Sequence, residues 1–183
     1  MMRIAIQGEL GAFSELAAES LSGGRCQVVP TRSFRAVVEA VEAGRVNAGV
    51  LPVENRTVGP VVDSLAALAS GTAVEIDGEC LVPVRLHLIG LSTASLHTLT
   101  QVASHPVALA QCRRFLARYP GWIVDDYYDS AGAARDVAGR GEPSFAAIAG
   151  IAAATRYGLA LLATDVHDLP GNATRFVLIR RRA

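Results

Sequence analysis

The sequence has few cysteines, no block of one charge and no long apolar run. Cys26, Cys80 and Cys112 are odd in number and widely spaced, which fits neither a disulfide framework nor a zinc ligand set. Seventeen basic and seventeen acidic residues cancel, so we expect no nucleic-acid partner and no partner at a membrane surface. No apolar stretch is long enough to cross a bilayer.

The beginning of the chain also lacks the apolar core of a signal peptide, because residues 1–6 lead directly into a strand pattern. Together with the widely spaced cysteines, this predicts a cytoplasmic protein with reduced thiols and no bound metal. There is no internal repeat and no low-complexity linker.

What the sequence does contain is a regular alternation of short apolar runs and stretches of helical period. This pattern predicts an α/β fold with mostly parallel strands, and 183 residues with 51% hydrophobic content can bury a substantial core. One strand, Val46 to Leu51, is expected to end at Pro52. A longer strand from Cys80 to Leu88, with His87 on its polar side, is expected to cross between two lobes.

The apolar run that begins at Phe176 has no neighbouring strand in the sequence. We therefore predict that it returns to the first lobe, so that the chain forms two lobes around a central cleft. Lobe 1 would comprise residues 1–78 and 165–183, and lobe 2 would comprise residues 79–164.

Polar chemistry is concentrated immediately before this last strand. Residues 172–176 read Asn-Ala-Thr-Arg-Phe, which places Thr174 and Arg175 at the entrance of an apolar strand. In open α/β sheets, ligands collect where loops meet strand ends. This segment is therefore the first candidate for a site.

A second candidate follows the strand that is predicted to end at Pro52. Glu54, Asn55 and Arg56 offer a carboxylate, an amide and a guanidinium within three residues. The alternative interpretation is structural, because Glu54 or Asn55 could cap a helix that begins near Pro60.

Three further segments each allow two interpretations. The turn from Gly8 to Ser14 could aim backbone N–H groups at an anion, but it lacks a full dinucleotide fingerprint and a P-loop lysine, so it could equally be a tight turn. Ser104-His105-Pro106, which opens the helix carrying Gln111, could be ordinary helix-start sequence. The same holds for Ser130, which precedes small residues that would let a ligand approach closely.

Together these segments resemble the catalytic domain of the prephenate dehydratase family. The resemblance covers essentially the whole chain and rests on five motifs in order. They are Gly-x-x-Gly-x-aromatic-Ser at 8–14, Pro-x-Glu-Asn at 52–55, Ser-His-Pro at 104–106 with Gln111-Cys112, Ser130 with Ala133-Ala134, and Asn-x-Thr-Arg-Phe at 172–176.

The resemblance implies a two-lobed, periplasmic-binding-protein-like (type II) fold with a central cleft. It implies a carbon–oxygen lyase of phenylalanine biosynthesis that needs no cofactor, converts prephenate into phenylpyruvate, carbon dioxide and water, and forms a homodimer or a higher homo-oligomer. By the same resemblance, the hydroxyl of Thr174 assists the departure of the C4 hydroxyl group. The residues expected to bind substrate are Ala12, Ser14, Glu54, Asn55, Arg56, His105, Gln111, Ser130, Arg175 and Phe176.

The chain departs from the family pattern where three hydroxyl-bearing residues are usual. It has Ala12, Arg56 and Ala131 at these positions. The family also usually continues into an ACT domain that binds phenylalanine, for which no residues remain here. If the 183 residues are the whole gene product, we expect no response to phenylalanine through such a domain.

The sequence leaves two alternative functions open. A relative of the prephenate decarboxylases would remove only carbon dioxide and leave the ring non-aromatic, and the lost hydroxyls favour it. A non-catalytic module that binds small carboxylates is the other alternative, since two-lobed α/β folds also serve as solute receptors. The preference between prephenate and arogenate is not predicted.

Overall fold

The computed structural model describes residues 1–182 and divides the chain into two compact units. Unit 1 comprises residues 1–9, residues 13–84 and the chain from Gly171 onward, and unit 2 comprises residues 10–12 and 85–170. The strands are β1 (Met2–Gln7), β2 (Cys26–Thr31), β3 (Ala48–Asn55), β4 (Gly59–Pro60), β5 (Val74–Pro83), β6 (His87–Gly90), β7 (Gln101–Ser104), β8 (Ile123–Asp126), β9 (Phe145–Ala149), β10 (Ala160–Ala163) and β11 (Ala173–Arg181). The helices are α1 (Phe13–Ser22), α2 (Phe34–Glu42), α3 (Val62–Ser70), α4 (Pro106–Ala110), α5 (Arg113–Leu116), α6 (Ser130–Arg140) and α7 (Ile151–Tyr157).

Unit 1 is built on a sheet with the strand order β2-β1-β3-β11-β5, to which β4 is added beside β3. Successive side chains of a strand point to opposite faces, and β1 shows this directly. Ile4 and Ile6 enter one apolar cluster together with Phe176, whereas Ala5 enters a second cluster with Val37 of α2. The sheet therefore has an apolar core on each face.

Unit 2 is built on a sheet with the order β10-β6-β9-β7-β8. Its core is rich in alanine, which lets α6 pack closely on β9 and on α7. The longest helix described in residues 1–182 is α6, with 11 residues, and none of the described helices combines the length and apolar character that a membrane span requires.

The two sheets are mixed, so the prediction of mostly parallel strands is wrong. Within residues 1–182, β1 pairs in parallel with β2 and β3, and β7 pairs in parallel with β8 and β9. The other five pairings are antiparallel. Among them are those of β11, which returns from unit 2 and inserts between β3 and β5.

The prediction that Pro52 ends its strand is also wrong, because β3 continues to Asn55. Proline lacks an N–H donor and is tolerated inside a sheet mainly at edges and irregularities. The pairing of β3 with β11 shifts at this point, since Phe176 lies opposite Pro52 and Arg175 lies opposite Glu54. This irregularity lets the strand pass the proline and extend the sheet by three further residues.

The predicted strand from Cys80 to Leu88 is interrupted. β5 ends at Pro83 and β6 begins at His87, and the two strands belong to different sheets. β5 pairs with β11 along its whole length, whereas β6 pairs with β9 and β10. The alternating pattern therefore extends across two separate strands.

The boundaries of the units differ from the predicted lobe boundaries. We predicted divisions at 78/79 and 164/165, whereas the compact units divide after Val84 and before Gly171. The end of β5 stays with unit 1 because it remains paired with β11. Residues 165–170 stay with unit 2, where the N–H of Val166 donates to the carbonyl of Leu86.

His87 is buried, although the sequence pattern placed it on the polar side of a strand. Its Nδ1 accepts a hydrogen bond of 3.1 Å from the N–H of Asp165, a residue with a φ of 50°. This contact requires an imidazole that is unprotonated at Nδ1. Burial accordingly lowers the pKa of His87 below its ordinary value of 6.5, with the Asp165 carboxylate opposing the shift.

We expect the depressed pKa of His87 to make the protein less stable in mild acid. The unfolded chain takes up this proton as the pH falls through 6.5, and the folded chain takes it up only at lower pH. The contribution of neutral His87 to the stability of the folded chain is therefore present above pH 6.5 and is lost as the pH falls through the folded pKa. The measurement is the decrease in Tm between pH 7.5 and pH 5.5, which should be smaller in His87→Asn than in wild type. His97→Asn replaces an exposed histidine and is the control, so its Tm should decrease as much as that of wild type.

Candidate active site

The register of β11 against β3 brings together two of the predicted site segments. Thr174 lies opposite Asn55, and Arg175 lies opposite Glu54. The amide Nδ2 of Asn55 donates a hydrogen bond of 2.9 Å to Oγ1 of Thr174. Residues 119 positions apart in the chain are therefore in direct contact.

The orientation of the Asn55 amide follows from its other contacts. Its Oδ1 accepts hydrogen bonds of 3.0 Å from the N–H groups of Thr57 and Val58. Because the oxygen faces two backbone donors, the NH₂ group must face Thr174, whose Oγ1 acts as the acceptor. The hydroxyl proton of Thr174 is not used in this contact and can be donated elsewhere.

Neither Glu54 nor Asn55 caps the following helix, so the structural alternative for this segment is wrong. Helix α3 begins at Val62, and its N-cap residue Val61 makes no side-chain cap hydrogen bond. Gly59–Pro60 forms a short strand that pairs with Glu54 and Asn55. The amide of Asn55 closes the turn between the two strands.

Arg175 is held by two carboxylates. Its guanidinium lies 3.2 Å from Oε2 of Glu54 on β3 and 3.3 Å from Oε2 of Glu79 on β5. Arg175 is exposed and Thr174 is buried, as expected for neighbours on opposite faces of a strand. A substrate carboxylate could reach this guanidinium only in competition with a glutamate.

Arg56 differs from Arg175 in having an unpaired charge. Its backbone N–H donates to the carbonyl of Ala173 at 2.9 Å, which fastens the turn to the start of β11. Its side chain is exposed, and within residues 1–182 its guanidinium forms no ion pair. The residue that replaces a usual hydroxyl is thus an unneutralised cation next to Asn55.

The other two predicted residues of unit 1 are buried. Phe176 is 3% exposed and belongs to the apolar cluster that includes Ala17 and Ala18 of α1. Ser14 is 9% exposed and lies in the first turn of the same helix. Phe176 therefore contributes mainly to packing.

The glycine turn that precedes α1 is required by packing. Gly11 has a φ of +93°, and a Cβ atom at this position would lie 2.9 Å from Cα of Ala153 in α7. Tyr157 of α7 also donates from its hydroxyl to the carbonyl of Leu10. Ala12 packs against the apolar cluster of unit 2. These contacts favour the structural interpretation of this turn.

In unit 2, Ser130 contacts a second serine. Its Oγ lies 2.9 Å from Oγ of Ser104, which is fully buried and also donates to the carbonyl of Ile148. We call Ser104 and Ser130 the serine pair. The N-cap of α6 is Asp129, whose Oδ1 accepts from the N–H of Gly132 at 2.8 Å. The end of α6 is thus already occupied by a carboxylate.

His105 and Gln111 lie at the two ends of α4. Nδ1 of His105 accepts a hydrogen bond of 3.2 Å from the N–H of Val107, so this histidine caps the helix. The carbonyl of Gln111 accepts from the N–H of Asp168 at 2.7 Å. Burial raises the pKa of the neighbouring Cys112 thiol to about 12, so this cysteine is unreactive.

The predicted site lacked two residues that contact its members, Glu79 and Ser104. Glu79 lies in β5, and its proximity to Arg175 depends on a strand register that the sequence does not reveal. Ser104 was part of a predicted motif, and its contact with Ser130 was not foreseen. Within residues 1–182, His, Cys, Asp and Glu side chains form no group of three or more that could hold a metal ion.

Comparison with models of protein families identifies the family to which the chain belongs. A family model described as prephenate dehydratase matches residues 4–183. The chain belongs to the prephenate dehydratase family.

Members of this family resemble the chain over nearly all of its length. Arogenate dehydratase 2 of Petunia hybrida is 37% identical over 180 residues, which cover 98% of this chain and 45% of the relative. A bifunctional chorismate mutase/prephenate dehydratase of Stutzerimonas stutzeri is 38% identical over 179 residues, which cover 97% of this chain and 48% of the relative. The chain thus spans about half the length of the curated relatives it matches.

The solved structures that resemble the chain include a prephenate dehydratase. The prephenate dehydratase of Arthrobacter aurescens, solved in complex with L-Phe, has a TM-score of 0.90 and 29% identity over 99% of this chain and 61% of that chain. A structure described as GqqA, a novel type of quorum quenching acylase, has a TM-score of 0.86 and 34% identity over 99% and 64%. A putative methionine-binding lipoprotein of Bacillus subtilis, 10% identical with a TM-score of 0.51 over 100% and 83%, shares the binding-protein-like α/β fold alone.

Two of the three departures from the prephenate dehydratase pattern lie in apolar surroundings. Ala131 is 2% exposed, and both Ala131 and Ala12 pack in the same cluster of unit 2. A hydroxyl at either position would need its own buried partner. Arg56 is therefore the departure that changes a side chain on the exposed surface.

Proposed function

We propose that this chain catalyses the decarboxylative dehydration of prephenate to phenylpyruvate, a carbon–oxygen lyase reaction of phenylalanine biosynthesis. The observation that carries the proposal is the hydrogen bond between Asn55 and Thr174. This bond uses a lone pair of the threonine oxygen and leaves its proton for a leaving group. Membership of the prephenate dehydratase family agrees with it.

The reaction consumes one proton. The bond between C1 and its carboxylate breaks to release carbon dioxide, and the electron pair enters the ring. The bond between C4 and oxygen then breaks, and the departing hydroxide takes up the proton as water. A free threonine is too weak an acid to supply this proton alone, so Thr174 acts as an oriented donor or relay. Aromatisation of the ring supplies much of the driving force.

The two carboxylates of prephenate need cationic partners, and the guanidinium groups differ in availability. Arg56 has no carboxylate partner in the described chain, whereas Arg175 has two. We therefore assign a substrate carboxylate to Arg56 first, and to Arg175 only in exchange for Glu54 or Glu79. The remaining substrate contacts proposed from the family are Ala12, Ser14, Asn55, His105, Gln111, Ser130 and Phe176.

The surroundings of Thr174 favour a proton donor over a nucleophile. In acyl transfer, a threonine hydroxyl needs an adjacent base to remove its proton. Among the described residues, the side chain that hydrogen-bonds to Thr174 is the amide of Asn55, which donates to it and cannot take its proton. We therefore propose dehydration rather than the acylase activity for which the GqqA structure is described.

Proton NMR of purified protein incubated with prephenate tests the proposal. We expect aromatic signals of phenylpyruvate to appear with time. Persistence of ring alkene signals together with release of carbon dioxide would instead indicate a non-aromatising decarboxylase. Tight binding without any conversion would indicate a binding module.

We also propose that the protein acts as a homodimer in the cytoplasm. The free thiols of Cys26, Cys80 and Cys112 suit a reducing compartment. Light scattering coupled to gel filtration should give twice the mass of one chain. A mass equal to one chain at micromolar concentration would contradict the dimer.

A further inference from the structure

Strand β8 forms one edge of the unit 2 sheet, and within residues 1–182 it pairs with β7 alone. A strand at a sheet edge presents a row of unpaired N–H and C=O groups that can pair with another chain. Its first two residues, Ile123 and Val124, are apolar and are 63% and 44% exposed. This edge therefore combines unpaired backbone groups with exposed apolar side chains.

The edges formed by β2, β5 and β10 each have a feature that hinders pairing. β2 contains Pro30, which lacks an N–H donor. β5 carries Glu75, Asp77 and Glu79 within five residues, and the pairing of β10 with β6 is irregular. β8 contains no proline, and its register with β7 is regular. Of these four edges, β8 is the one best suited to accept another strand.

The backbone groups of β8 that face outward can be identified from its bonds to β7. The N–H groups of Ile123 and Tyr127 donate to carbonyl groups just before β7 and at its end. Along a strand, the N–H and C=O groups of successive residues point alternately to the two sides. The backbone groups of Val124 and Asp126 therefore face away from β7, toward the open edge.

The charges at the two ends of β8 are opposite in sign. The guanidinium carbon of Arg118 lies 4.8 Å from the centre of the Phe115 ring, which packs against Trp122 just before the strand. Asp126 is exposed and is the last residue of the strand. In the described chain, neither Arg118 nor Asp126 forms an ion pair. Antiparallel pairing of two copies of β8 would bring the acidic end of each strand to the basic beginning of the other.

We infer that β8 pairs with β8 of a second copy of this chain, in antiparallel orientation and centred on Val124. The inference rests on the proposed homodimer and identifies its interface. In this register the two Val124 residues lie opposite each other and exchange both backbone hydrogen bonds. Asp125 lies opposite Ile123 of the second copy, and Asp126 lies opposite Trp122. The two five-stranded sheets become one continuous sheet.

The aspartates of β8 determine this register. Pairing centred on Asp125 would place the two Asp125 carboxylates directly opposite each other, and like charges in that position are destabilising. Pairing centred on Val124 avoids this repulsion and places Asp126 beside the aromatic cluster that carries Arg118.

Lysine substitutions at two neighbouring positions test the interface and its register. Val124→Lys places two ammonium groups opposite each other, so the dissociation constant of the dimer should increase about a hundredfold or more. Ile123→Lys is the matched control. It removes the more exposed apolar side chain but places its ammonium group opposite Asp125, so the protein should remain dimeric. Light scattering coupled to gel filtration over a dilution series gives the mass, and far-UV circular dichroism verifies the fold.

Three results would contradict this interface. A dimer that survives Val124→Lys would refute it and leave the homodimer standing, and so would a dimer lost equally in both variants, which would indicate apolar contact without strand pairing. A monomeric wild type would refute the interface together with the homodimer. None of these masses depends on turnover of prephenate. If Val124→Lys does not fold, Val124→Pro replaces it, because proline removes an N–H that faces away from β7 and should also give a monomer.

Discussion

Replacing Thr174 by valine is expected to lower kcat about a hundredfold or more, because a positioned proton donor contributes on this scale. Valine keeps the branched shape that suits a strand and has a methyl group in place of the hydroxyl. The substitution also leaves Nδ2 of Asn55 without its partner, so a small loss of Tm should accompany the loss of activity. Steady-state turnover of prephenate and arogenate gives kcat, and a thermal melt gives Tm.

Two further variants make the interpretation of Thr174→Val specific. Thr174→Ser restores a hydroxyl at the same place and should recover most of the lost kcat. Thr93→Ala removes an exposed threonine hydroxyl and should not change kcat. Retention of more than a tenth of the wild-type kcat in Thr174→Val would show that another group protonates the leaving hydroxyl.

The sequence was sufficient to predict the family and the order of most elements. Ser33 stands directly before an apolar helical pattern, where an N-cap residue is expected, and its side chain accepts from the N–H of Ala36. Apolar runs such as Phe176 to Ile179 likewise predicted a buried strand. These features are local, so a single sequence contains them.

Features that depend on pairing between distant segments could not be predicted in this way. The passage of β3 through Pro52 depends on the irregular pairing opposite Phe176, and the sequence does not show which strand lies there. The same holds for Glu79, which becomes a partner of Arg175 only because β5 lies beside β11.

The burial of side chains does not follow the sequence pattern at His87 or in α3. The alternating pattern placed His87 on a polar face, but a hydrogen bond from the Asp165 N–H satisfies its ring within unit 2. In α3 the apolar residues Val62 and Leu65 are exposed, whereas Ser64 and Ala67 are buried.

Replacing Asn55 by aspartate should be nearly as damaging as removing the hydroxyl of Thr174. One carboxylate oxygen can still accept from the N–H groups of Thr57 and Val58, which preserves the turn. The other oxygen replaces the NH₂ donor, so the hydroxyl of Thr174 must now donate to the new carboxylate, and its proton is no longer available to the substrate. We expect kcat to fall about a hundredfold with little change in Tm.

The combination of both substitutions provides the decisive measurement. If Asn55 acts through the proton of Thr174, the double variant carrying Asn55→Asp and Thr174→Val should be no slower than Thr174→Val alone, since the same interaction cannot be lost twice. Repulsion between the new carboxylate and the substrate would appear in KM and can be separated from kcat. Asn47→Asp is the matched control, because its Oδ1 accepts from the N–H of Arg3 and the exchange leaves that bond intact. Multiplicative losses in the double variant would show that Asn55 and Thr174 act independently, with Asn55 contacting the substrate itself.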